Sequence, residues 1–388
     1  MNDRSKAVLV TGLAASTALG EGAEPFLDGV AGQSPAGNLL NGADRRFHPL
    51  PEEVATHPRI RSTHPLTMRL VWTVEHGLGG FLAALSDEER ERTGVSVGHA
   101  YGHLSSYFEY FDAATQQGYR LVHPLRFLST LTNYAAAEIN NAYSLWGSSI
   151  PVGTGWNSGL EAIGAAVHSL EQGDEEAMIT GGFDEVSECT RQVLQAVGTA
   201  HTAGASPNGK AVPAGEGIGL LLLQRRDAAR RAGRRVLAEI GTVAGAHGLS
   251  WEEAGAVSIA ADAVRRSLAA AGVRAEDVDV LFSSAVAIAG GTGLCEAIQA
   301  AALGPVSVPR IDVSATAGEC FAATGPLQCI SAVAAVAPGA FGERFRSGDA
   351  YAGARENQGP ARVALVFTAA GDGAFSSLVV KSPPAAVA

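Results

Sequence analysis

The sequence T-G-W-N-S-G-L-E-A-I-G, from Thr154 to Gly164, decides how the middle of this chain folds. It follows an apolar run, residues 150–153, whose end is crowded with glycines, as expected for a buried strand that enters a turn. It also opens a helical pattern over residues 158–172, in which Leu160, Ile163, Val167 and Leu170 fall on one face. The stretch therefore predicts a tight strand-to-helix elbow that carries Trp156.

The ends of this helix have their own signals. Ser158, followed three residues later by Glu161, is typical of a capping box, and Gly173 supplies the stop. Such an elbow is a natural place for a nucleophile, because the first turn of a helix offers free backbone N–H groups and a partial positive charge. A cysteine would gain thiolate character there. Here the elbow carries an indole, which has no such chemistry.

Buried strands and helices alternate along the chain, which favours an α/β architecture with layered packing. Residues 30–66 lack periodicity and predict a long surface excursion. The strand patterns cover residues 8–12, 95–98, 150–155, 177–180, 217–223, 236–242, 278–282 and 363–367. The helical patterns cover residues 68–85, 104–115, 158–172, 252–271, 295–302 and 325–337.

The two halves of the chain, residues 1–235 and 236–388, resemble each other in outline. Each opens with a strand, contains a long amphipathic helix, reaches a glycine-rich elbow and closes with a strand, which indicates a duplication. The chain has 388 residues, of which 46% are hydrophobic and 17% charged, so it can bury a large core.

The composition excludes several classes of function. A net charge of −11 without a basic, aromatic-rich stretch argues against nucleic-acid binding. The N-terminus lacks the features of a signal peptide, so we expect a cytoplasmic protein. The uncharged stretch from Cys320 to Gly342 contains Gly and Pro, which favours a buried helix over a membrane span.

The sequence predicts neither a metal nor a cofactor. Six histidines are irregularly spaced and are interpreted as solvated or core residues: His48, His57, His64, His76, His99 and His103. Gly215, Gly217 and Gly219 enter a strand rather than open a helix, so they form no dinucleotide fingerprint. Four cysteines without paired spacing are expected to be reduced and mostly buried: Cys189, Cys295, Cys320 and Cys329.

The elbow sequence, together with M-I-T-G-G (residues 178–182) and A-G-E-G-I-G (residues 214–219), resembles the β-ketoacyl synthases of the thiolase fold. The opening V-T-G-L-A-A-S-T-A-L-G (residues 10–20) and the closing G-D-G-A-F-S-S-L-V-V (residues 371–380) extend the resemblance over nearly the whole chain. The resemblance implies a duplicated, five-layered αβαβα fold.

Those condensing enzymes use a Cys at the elbow and two His that stabilise a carbonyl oxygen during decarboxylation of a malonyl unit. Here Trp156 occupies the nucleophile position, Ser284 (or Ser283, if the alignment slips by one) the first His position, and Glu319 the second. The last histidine of the chain is His247, so no later residue supplies an imidazole. The family's G-F-G-G gate is altered to A-A-G-D-G, residues 369–373.

Chains of this family that lack the nucleophile resemble the chain-length factor, or ketosynthase β subunit, of type II polyketide synthases. The resemblance implies a heterodimer with a catalytic ketosynthase, and an acyl carrier protein that delivers the growing chain. It also implies that Leu104, Tyr107 and Phe111, on one face of a helix that projects toward the partner, limit the polyketide tunnel together with Trp156. These factors usually carry Gln at the elbow. The Trp and the short chain favour an atypical system such as polyene biosynthesis over an aromatic one.

Alternatives remain open at each of these positions. Trp156 fills a vacated pocket or shapes a partner's channel. Glu319 pairs with an Arg, the favoured hypothesis, or acts as a buried base. The face of Leu104, Tyr107 and Phe111 is ordinary packing or a gating surface, and Phe108 and Tyr110 on neighbouring faces blur the assignment.

Two other functions compete with the chain-length factor. The first is an autonomous acyltransferase or hydrolase that uses Ser158 or Cys320 as nucleophile and Glu319 as base; the interpretation of Ser158 as a helix cap weakens it. The second is a homodimeric acyl-binding scaffold without a catalytic partner.

Overall fold

The computed structural model describes residues 7–32, 44–45, 47, 64–122, 124–196, 212–253, 255–286, 288, 291–306, 308–348 and 361–384. Most of the predicted excursion over residues 30–66, with His48 and His57, lies outside them. The strands are β1 Val8–Thr17, β2 Gly20–Glu21, β3 Asp44–Arg45, β4 Thr93–Gly98, β5 Ser149–Val152, β6 Ala177–Asp184, β7 Ala214–Gly215, β8 Gly217–Arg225, β9 Ala238–Ile240, β10 Ala244–Ala246, β11 Val280–Val286, β12 Arg310–Ile311, β13 Val363–Ala370 and β14 Phe375–Lys381.

The helices of the described residues are α1 Ala23–Ala31, α2 Pro65–Ala83, α3 Asp87–Glu91, α4 Leu104–Gln117, α5 Pro124–Leu128, α6 Tyr134–Tyr143, α7 Ser158–Gln172, α8 Glu188–Ala196, α9 Arg226–Arg231, α10 Ala256–Ala271, α11 Gly291–Leu303, α12 Ser314–Ala317, α13 Thr324–Val336 and α14 Gly339–Arg346. Two short 3₁₀ turns cover Ala275–Asp277 and Phe321–Ala323. No single helix in this part of the chain is long and apolar enough to cross a membrane, and one bent pair, Phe321–Val336 with Gly339–Arg346, passes only when joined across a 109° bend.

The main sheet repeats one pairing pattern in the two halves of the chain. In the N-terminal half the strand order is β1-β8-β6-β4-β5, with two antiparallel pairings followed by two parallel ones. In the C-terminal half the order is β9-β14-β13-β11-β12, with the same sequence of pairings. The halves meet where β1 pairs with β9. A repeated topology of this kind is what a duplication produces, while the boundary at residues 235 and 236 stays a prediction.

Five layers result from the packing of helices on both faces of each half. The central layer holds α7 and α13, whose apolar side chains share one buried cluster with β1 and β8 on one side and β11 and β13 on the other. Every residue of α13 is buried. Helices α2 and α6 cover the outer face of the first half, and α10 and α11 cover that of the second. The predicted αβαβα architecture of the thiolase fold is therefore confirmed.

Strand β1 is longer than its sequence predicts. The run from Val8 was expected to end in a turn at Gly12, but the strand continues to Thr17 across a shift of register between Val10 and Gly12. A Cβ at Gly12 would lie 2.8 Å from Cδ2 of Leu78. The glycine therefore marks a close approach of α2 to the sheet and not a turn.

Most other predicted elements exist with shifted ends. Strands β6, β8, β11 and β13 run two to four residues further at their C-terminal ends than their apolar patterns, because polar and small side chains there are also buried. Helix α10 begins at Ala256 rather than at residue 252, after the glycine of Gly255. Strand β14 and helices α1, α3, α6, α8 and α14 were not predicted, since their apolar patterns are short or interrupted.

Candidate functional site

The strand-to-helix elbow lies between β5 and α7, as predicted. Gly155 has a φ of 119°, a region that favours glycine, and α7 begins at Ser158. The Ser158 hydroxyl donates to the Gly155 carbonyl oxygen at 2.5 Å and accepts from the Thr154 amide at 3.0 Å. The Glu161 carboxylate accepts from the Thr154 hydroxyl at 2.5 Å. The predicted capping box is therefore wrong: Asn157 precedes the helix without a side-chain cap, and Ser158 closes the elbow instead.

Trp156 packs against two aromatic side chains from distant parts of the chain. Its indole Nε1 donates to the Tyr101 hydroxyl at 3.1 Å, and its ring centroid lies 6.3 Å from that of Phe321. The rings of Tyr101 and Phe321 meet edge to face at 5.1 Å. We call these three residues the elbow aromatic cluster. Trp156 is half-buried in it, so the indole fills the position where the resemblance expects a nucleophile.

Burial in the elbow aromatic cluster also changes the pKa of the Tyr101 phenol. It raises the pKa of Tyr101 to about 12, and the carboxylates of Asp184 and Asp372 add to the rise. The phenol therefore stays protonated at neutral pH. Its oxygen accepts a hydrogen bond from the indole N–H of Trp156, and the cluster offers no deprotonated nucleophile.

A buried carboxylate, Asp184 at the end of β6, holds this cluster together. One carboxylate oxygen accepts the amides of Tyr101 and Gly102 at 2.8 and 2.7 Å, and the other accepts those of Ala100 and Ala322 at 3.0 Å each. Burial raises the pKa of Asp184, and these amides oppose the rise. The side chain thereby ties the loop after β4 to the 3₁₀ turn Phe321–Ala323.

Asp184 was not predicted as a site residue. The only signal was a single acidic residue at the end of a strand that is otherwise apolar or small, two residues beyond the quoted M-I-T-G-G. Asp184 is 0% exposed, and a buried carboxylate needs hydrogen-bond partners for its oxygens. Those partners are backbone amides of two loops, and a sequence pattern does not identify them.

The turn between β13 and β14, which replaces the family's gate, lies against the elbow. One Asp372 carboxylate oxygen accepts from the backbone amide of Trp156 at 3.0 Å, and the other accepts from the amide of Ala374 at 3.1 Å. The Asn157 side-chain amide donates to the carbonyl oxygen of Thr368 at 3.1 Å. The altered A-A-G-D-G segment is therefore joined to the elbow through Asp372, and strand β13, which leads into the segment, is joined to it through Thr368.

The two serines that the resemblance aligns with the family's first histidine are buried in β11. Ser283 and Ser284 are 0% and 1% exposed, and Ser284 is opposite Thr368 of β13. The Ser284 hydroxyl has no hydrogen-bond partner among the described residues. A hydroxyl is a far weaker base than an imidazole, so neither serine replaces the missing histidine.

Glu319, which the resemblance aligns with the family's second histidine, is buried, and among the described residues no cation pairs with it. Its Oε1 accepts from the Phe321 amide at 3.0 Å and forms a short hydrogen bond with the Thr324 hydroxyl. Burial raises the pKa of Glu319 to about 8, and the charge of Asp312 adds to the rise. None of the described ion pairs joins an Arg to Glu319, so the described residues do not supply the Arg partner that was favoured. The reason is that Glu319 follows Gly318 into a turn whose neighbours are apolar.

The backbone also fixes Glu319 in place. Its carbonyl oxygen accepts from the Gly215 amide at 2.7 Å, and its own amide donates to the Pro213 carbonyl oxygen at 2.8 Å. A raised pKa is a property that carboxyl groups acting as general bases often have. However, both bonds of its Oε1 are directed to its own turn, at Phe321 and Thr324, so the geometry describes a structural carboxyl.

The alternative nucleophiles are also enclosed. Ser158 is 0% exposed and its hydroxyl is used within the elbow. Cys320 is 0% exposed, with its Sγ 3.5 Å from the Gly318 carbonyl oxygen. Burial raises the pKa of Cys295 to about 12 and that of Cys329 further still. All four cysteines are free thiols and only Cys189 is partly exposed, as expected.

The predicted tunnel residues lie on α4, at the surface of the protein. The ring centroids of Tyr107 and Phe111 are 4.5 Å apart, and these side chains are 47% and 38% exposed. Phe108 is 49% exposed, whereas Leu104 is half-buried. Ordinary packing inside this chain therefore does not explain Tyr107 and Phe111.

The exposed rings of α4 continue onto the neighbouring helix α5. Phe127 and Leu128 are 43% and 45% exposed, and Phe127 lies 5.6 Å from Tyr110 between ring centroids. We call the surface of Tyr107, Phe108, Phe111, Phe127 and Leu128 the α4–α5 apolar face. Exposed apolar surface of this extent is typical of a protein–protein contact.

Near α4 the described histidines are neutral, with His103 buried and His64 half-buried. Burial lowers the pKa of His64 to about 4 and that of His103 well below its ordinary value. Nδ1 of His64 accepts from the Leu66 amide at 3.2 Å, and Nε2 of His103 lies 2.6 Å from the Thr67 hydroxyl. Within the described residues, no three His, Cys, Asp or Glu side chains are grouped closely enough to hold a metal ion.

With this geometry in place, the chain was compared with known proteins. Residues 79–229 match the family described as beta-ketoacyl synthase, N-terminal domain. The 3-oxoacyl-[acyl-carrier-protein] synthase 2 of Vibrio harveyi is 27% identical over 186 residues, which cover 43% of this chain and 44% of that protein. Four such synthases match over 36% to 63% of their own lengths, so the chain spans less than two thirds of them.

Solved structures are similar over a larger part of the chain. The ishigamide ketosynthase/chain length factor has a TM-score of 0.73 at 22% identity, covering 97% of this chain and 100% of that chain. The AntDE:AntF structure, a type II polyketide synthase acyl carrier protein in complex with its ketosynthase bound to the hexaketide, has a TM-score of 0.75 at 18% identity over 97% and 99% of the two chains. At these identities the similarity establishes the fold.

The family match and the fold point to the same class of protein. Residues 79–229 resemble the N-terminal domain of the beta-ketoacyl synthases, and the fold of the chain is similar to that of solved ketosynthases.

Proposed function

We propose that this chain is the non-catalytic partner of a catalytic ketosynthase, a chain-length factor that shapes the tunnel in which a polyketide chain grows. The observation that carries the proposal is the elbow. Trp156 stands where the family has its nucleophile and is held there by Tyr101 and Phe321. Ser284 and Glu319 stand where the family has its histidines, and neither presents a free base to the elbow.

The surface of the chain supports a protein partner. Strand β5 lies at one end of the sheet and pairs, among the described strands, with β4 alone. An edge strand of this kind offers free backbone groups to a second chain. The α4–α5 apolar face adds exposed rings, and aromatic side chains are enriched in stable interfaces. A partner ketosynthase of the same fold would cover both features in a pseudo-symmetric heterodimer.

The gating part of the proposal assigns the limit on product length to Leu104, Tyr107 and Phe111. Two of these side chains extend from the surface and are therefore available to line a channel in the partner. The ishigamide ketosynthase/chain length factor and the ketosynthase complexed with its acyl carrier protein share the fold. We assign the same kinds of partner, a catalytic ketosynthase and an acyl carrier protein, to this chain.

An autonomous acyltransferase or hydrolase is less well supported. Its candidate nucleophiles Ser158 and Cys320 are both 0% exposed, and the hydroxyl of Ser158 is engaged by the backbone of the elbow. The carboxyl of Glu319 is bonded within its own turn. A homodimeric acyl-binding scaffold would use the same exposed surface, and it differs only in the identity of the partner.

Reconstitution separates these functions. The purified chain, an acyl carrier protein loaded with malonate and the ketosynthase encoded nearest to it are combined, and the products are measured by mass spectrometry. We expect no product from the chain alone, no labelling by an epoxide-bearing fatty amide, and a defined product length only when both subunits are present. Product formation or labelling with the chain alone would support the autonomous enzyme instead.

A further inference from the structure

We propose that Asp372 is an internal ligand of the elbow, whose carboxylate occupies the backbone amide of Trp156 and keeps an acyl carbonyl oxygen from binding there. This inference goes beyond the proposed function. It concerns the elbow of this chain alone and holds whether or not a ketosynthase is its partner.

The contact joins two elements that are far apart in the sequence. The Trp156 amide lies just before α7, a helix of 15 residues, and it donates to Oδ2 of Asp372 at 3.0 Å. The second oxygen of Asp372 accepts from the Ala374 amide at 3.1 Å, so the turn itself orients the carboxylate. The turn is closed by hydrogen bonds between Ala370 and Ala374 and between Gly373 and Ala370.

The Asp372 carboxylate lies very close to the backbone of the elbow. A Cβ at Gly155 would lie 2.2 Å from Oδ2 of Asp372, so a side chain at that position would collide with the carboxylate. Trp251 donates its indole Nε1 to the Ala370 carbonyl oxygen at 2.7 Å, which holds the turn from its other side. The exposed Asp372 carboxylate therefore lies between the backbone of Gly155 and a turn that Trp251 holds.

The chemistry explains why the amide is closed to other acceptors. A backbone N–H at the start of a helix attracts negative charge, and a hydrogen bond to a carboxylate is roughly twice as strong as one to a neutral carbonyl oxygen. An acyl thioester offers only a neutral oxygen, so it does not displace Asp372. The nucleophile is thus absent, and the amide beside its position is already occupied.

The first test measures the amide directly. The chain has four tryptophans, Trp72, Trp146, Trp156 and Trp251, so labelling with [¹⁵N]tryptophan gives a spectrum with four backbone amide signals. We expect Asp372→Asn to shift the Trp156 amide signal upfield and to leave the others in place, because the charged acceptor is lost. The matched control is Asp262→Asn, which removes an exposed carboxylate paired with Arg265 and should move none of the four. An unchanged Trp156 signal in Asp372→Asn would overturn the proposal.

The second test asks whether Asp372 controls reactivity at the elbow. In a Cys189→Ser background, which removes the one partly exposed native thiol, Trp156→Cys places a thiol beside the occupied amide. Adding Asp372→Asn should raise its rate of alkylation by iodoacetamide at pH 7 by about threefold to tenfold, because a nearby negative charge disfavours the thiolate. Equal rates with and without Asp372→Asn would contradict the proposal. If Trp156→Cys does not fold, the [¹⁵N]tryptophan spectrum of Asp372→Asn still tests the proposal.

Discussion

Trp156 is held by a hydrogen bond to Tyr101 and by the ring of Phe321, so its role at the elbow depends on residues that the local sequence does not reveal. The glycines and the helical pattern around it were sufficient to predict the elbow. The packing partners were not predictable, because they arrive from the loop after β4 and from a turn before α13. Around Glu319 no local pattern indicates whether an Arg lies close by, since ion pairing depends on tertiary neighbours.

The first prediction concerns the lost chemistry at the elbow. Trp156→Cys should not restore condensation, because no histidine follows His247 to supply the imidazoles that the resemblance expects at Ser284 and Glu319, and because Asp372 occupies the elbow amide. The measurement is product formation from malonyl-loaded carrier protein by the chain without a partner. Robust condensation by this single variant would show that the site retains more chemistry than the structure indicates.

The second prediction uses the raised pKa of Glu319. In the folded chain this pKa is about 8, against an ordinary value of 4.5, so the native state binds more protons between these values. Stability is therefore highest below pH 4.5 for this group and falls as the pH rises through 8. Between pH 7 and pH 8.5 the loss from Glu319 should be about 1 kcal/mol.

Glu319→Gln should remove that part of the pH dependence, because a carboxamide does not ionise and still accepts from the Phe321 amide. Urea unfolding at both pH values measures it, and Glu88→Gln on the exposed surface of α3 is the control. Parallel pH profiles for the wild type and Glu319→Gln would contradict the assignment.

At the scale of elements, most of the predicted strands and helices have apolar faces that are buried over several residues, whereas β14, with six buried residues in a row, was not predicted. The extra length of β1 beyond Gly12 was not predicted, because the sequence alone does not distinguish a glycine that lies close to Leu78 from a glycine in a turn. The short helices were missed because tertiary contacts, rather than their own periodicity, hold them.

Asp184 connects two such elements, and its replacement is the third prediction. Asp184→Asn should destabilise the chain by about 2–4 kcal/mol, because the new NH₂ group would face two backbone N–H donors instead of accepting from them. Chemical denaturation measures the change, with the exposed Asp262→Asn as the control. A loss below about 0.5 kcal/mol would show that the two loops do not depend on this carboxylate.

Helix α4 carries the fourth prediction. Tyr107→Ala and Phe111→Ala should lengthen the product in the reconstituted system without abolishing synthesis, because they remove bulk from the proposed channel. Their effect on the stability of the isolated chain should stay within about 1 kcal/mol, since both side chains are substantially exposed. Tyr119→Ala, at a residue that is 75% exposed and lies beyond the end of α4, should change neither quantity. Unchanged product length with normal complex formation would refute the gating role.

At the scale of the whole molecule, the duplicated five-layered fold was predictable from the spread of matching motifs along the chain. For the proposed function, the only indication in the sequence is the missing Cys and His residues, because a partner leaves no motif of its own in this chain. The exposed edge of β5 and the α4–α5 apolar face supply the structural argument for that partner. A stable interface of this kind buries more than about 2,000 Å² and is largely apolar.

The central claim is that this chain pairs with a catalytic ketosynthase. Its most direct test is native mass spectrometry after co-expression of this chain with the ketosynthase encoded nearest to it. The account predicts a complex of one copy of each chain. A stable homodimer of this chain that leaves the ketosynthase unbound would contradict the claim and favour an acyl-binding scaffold.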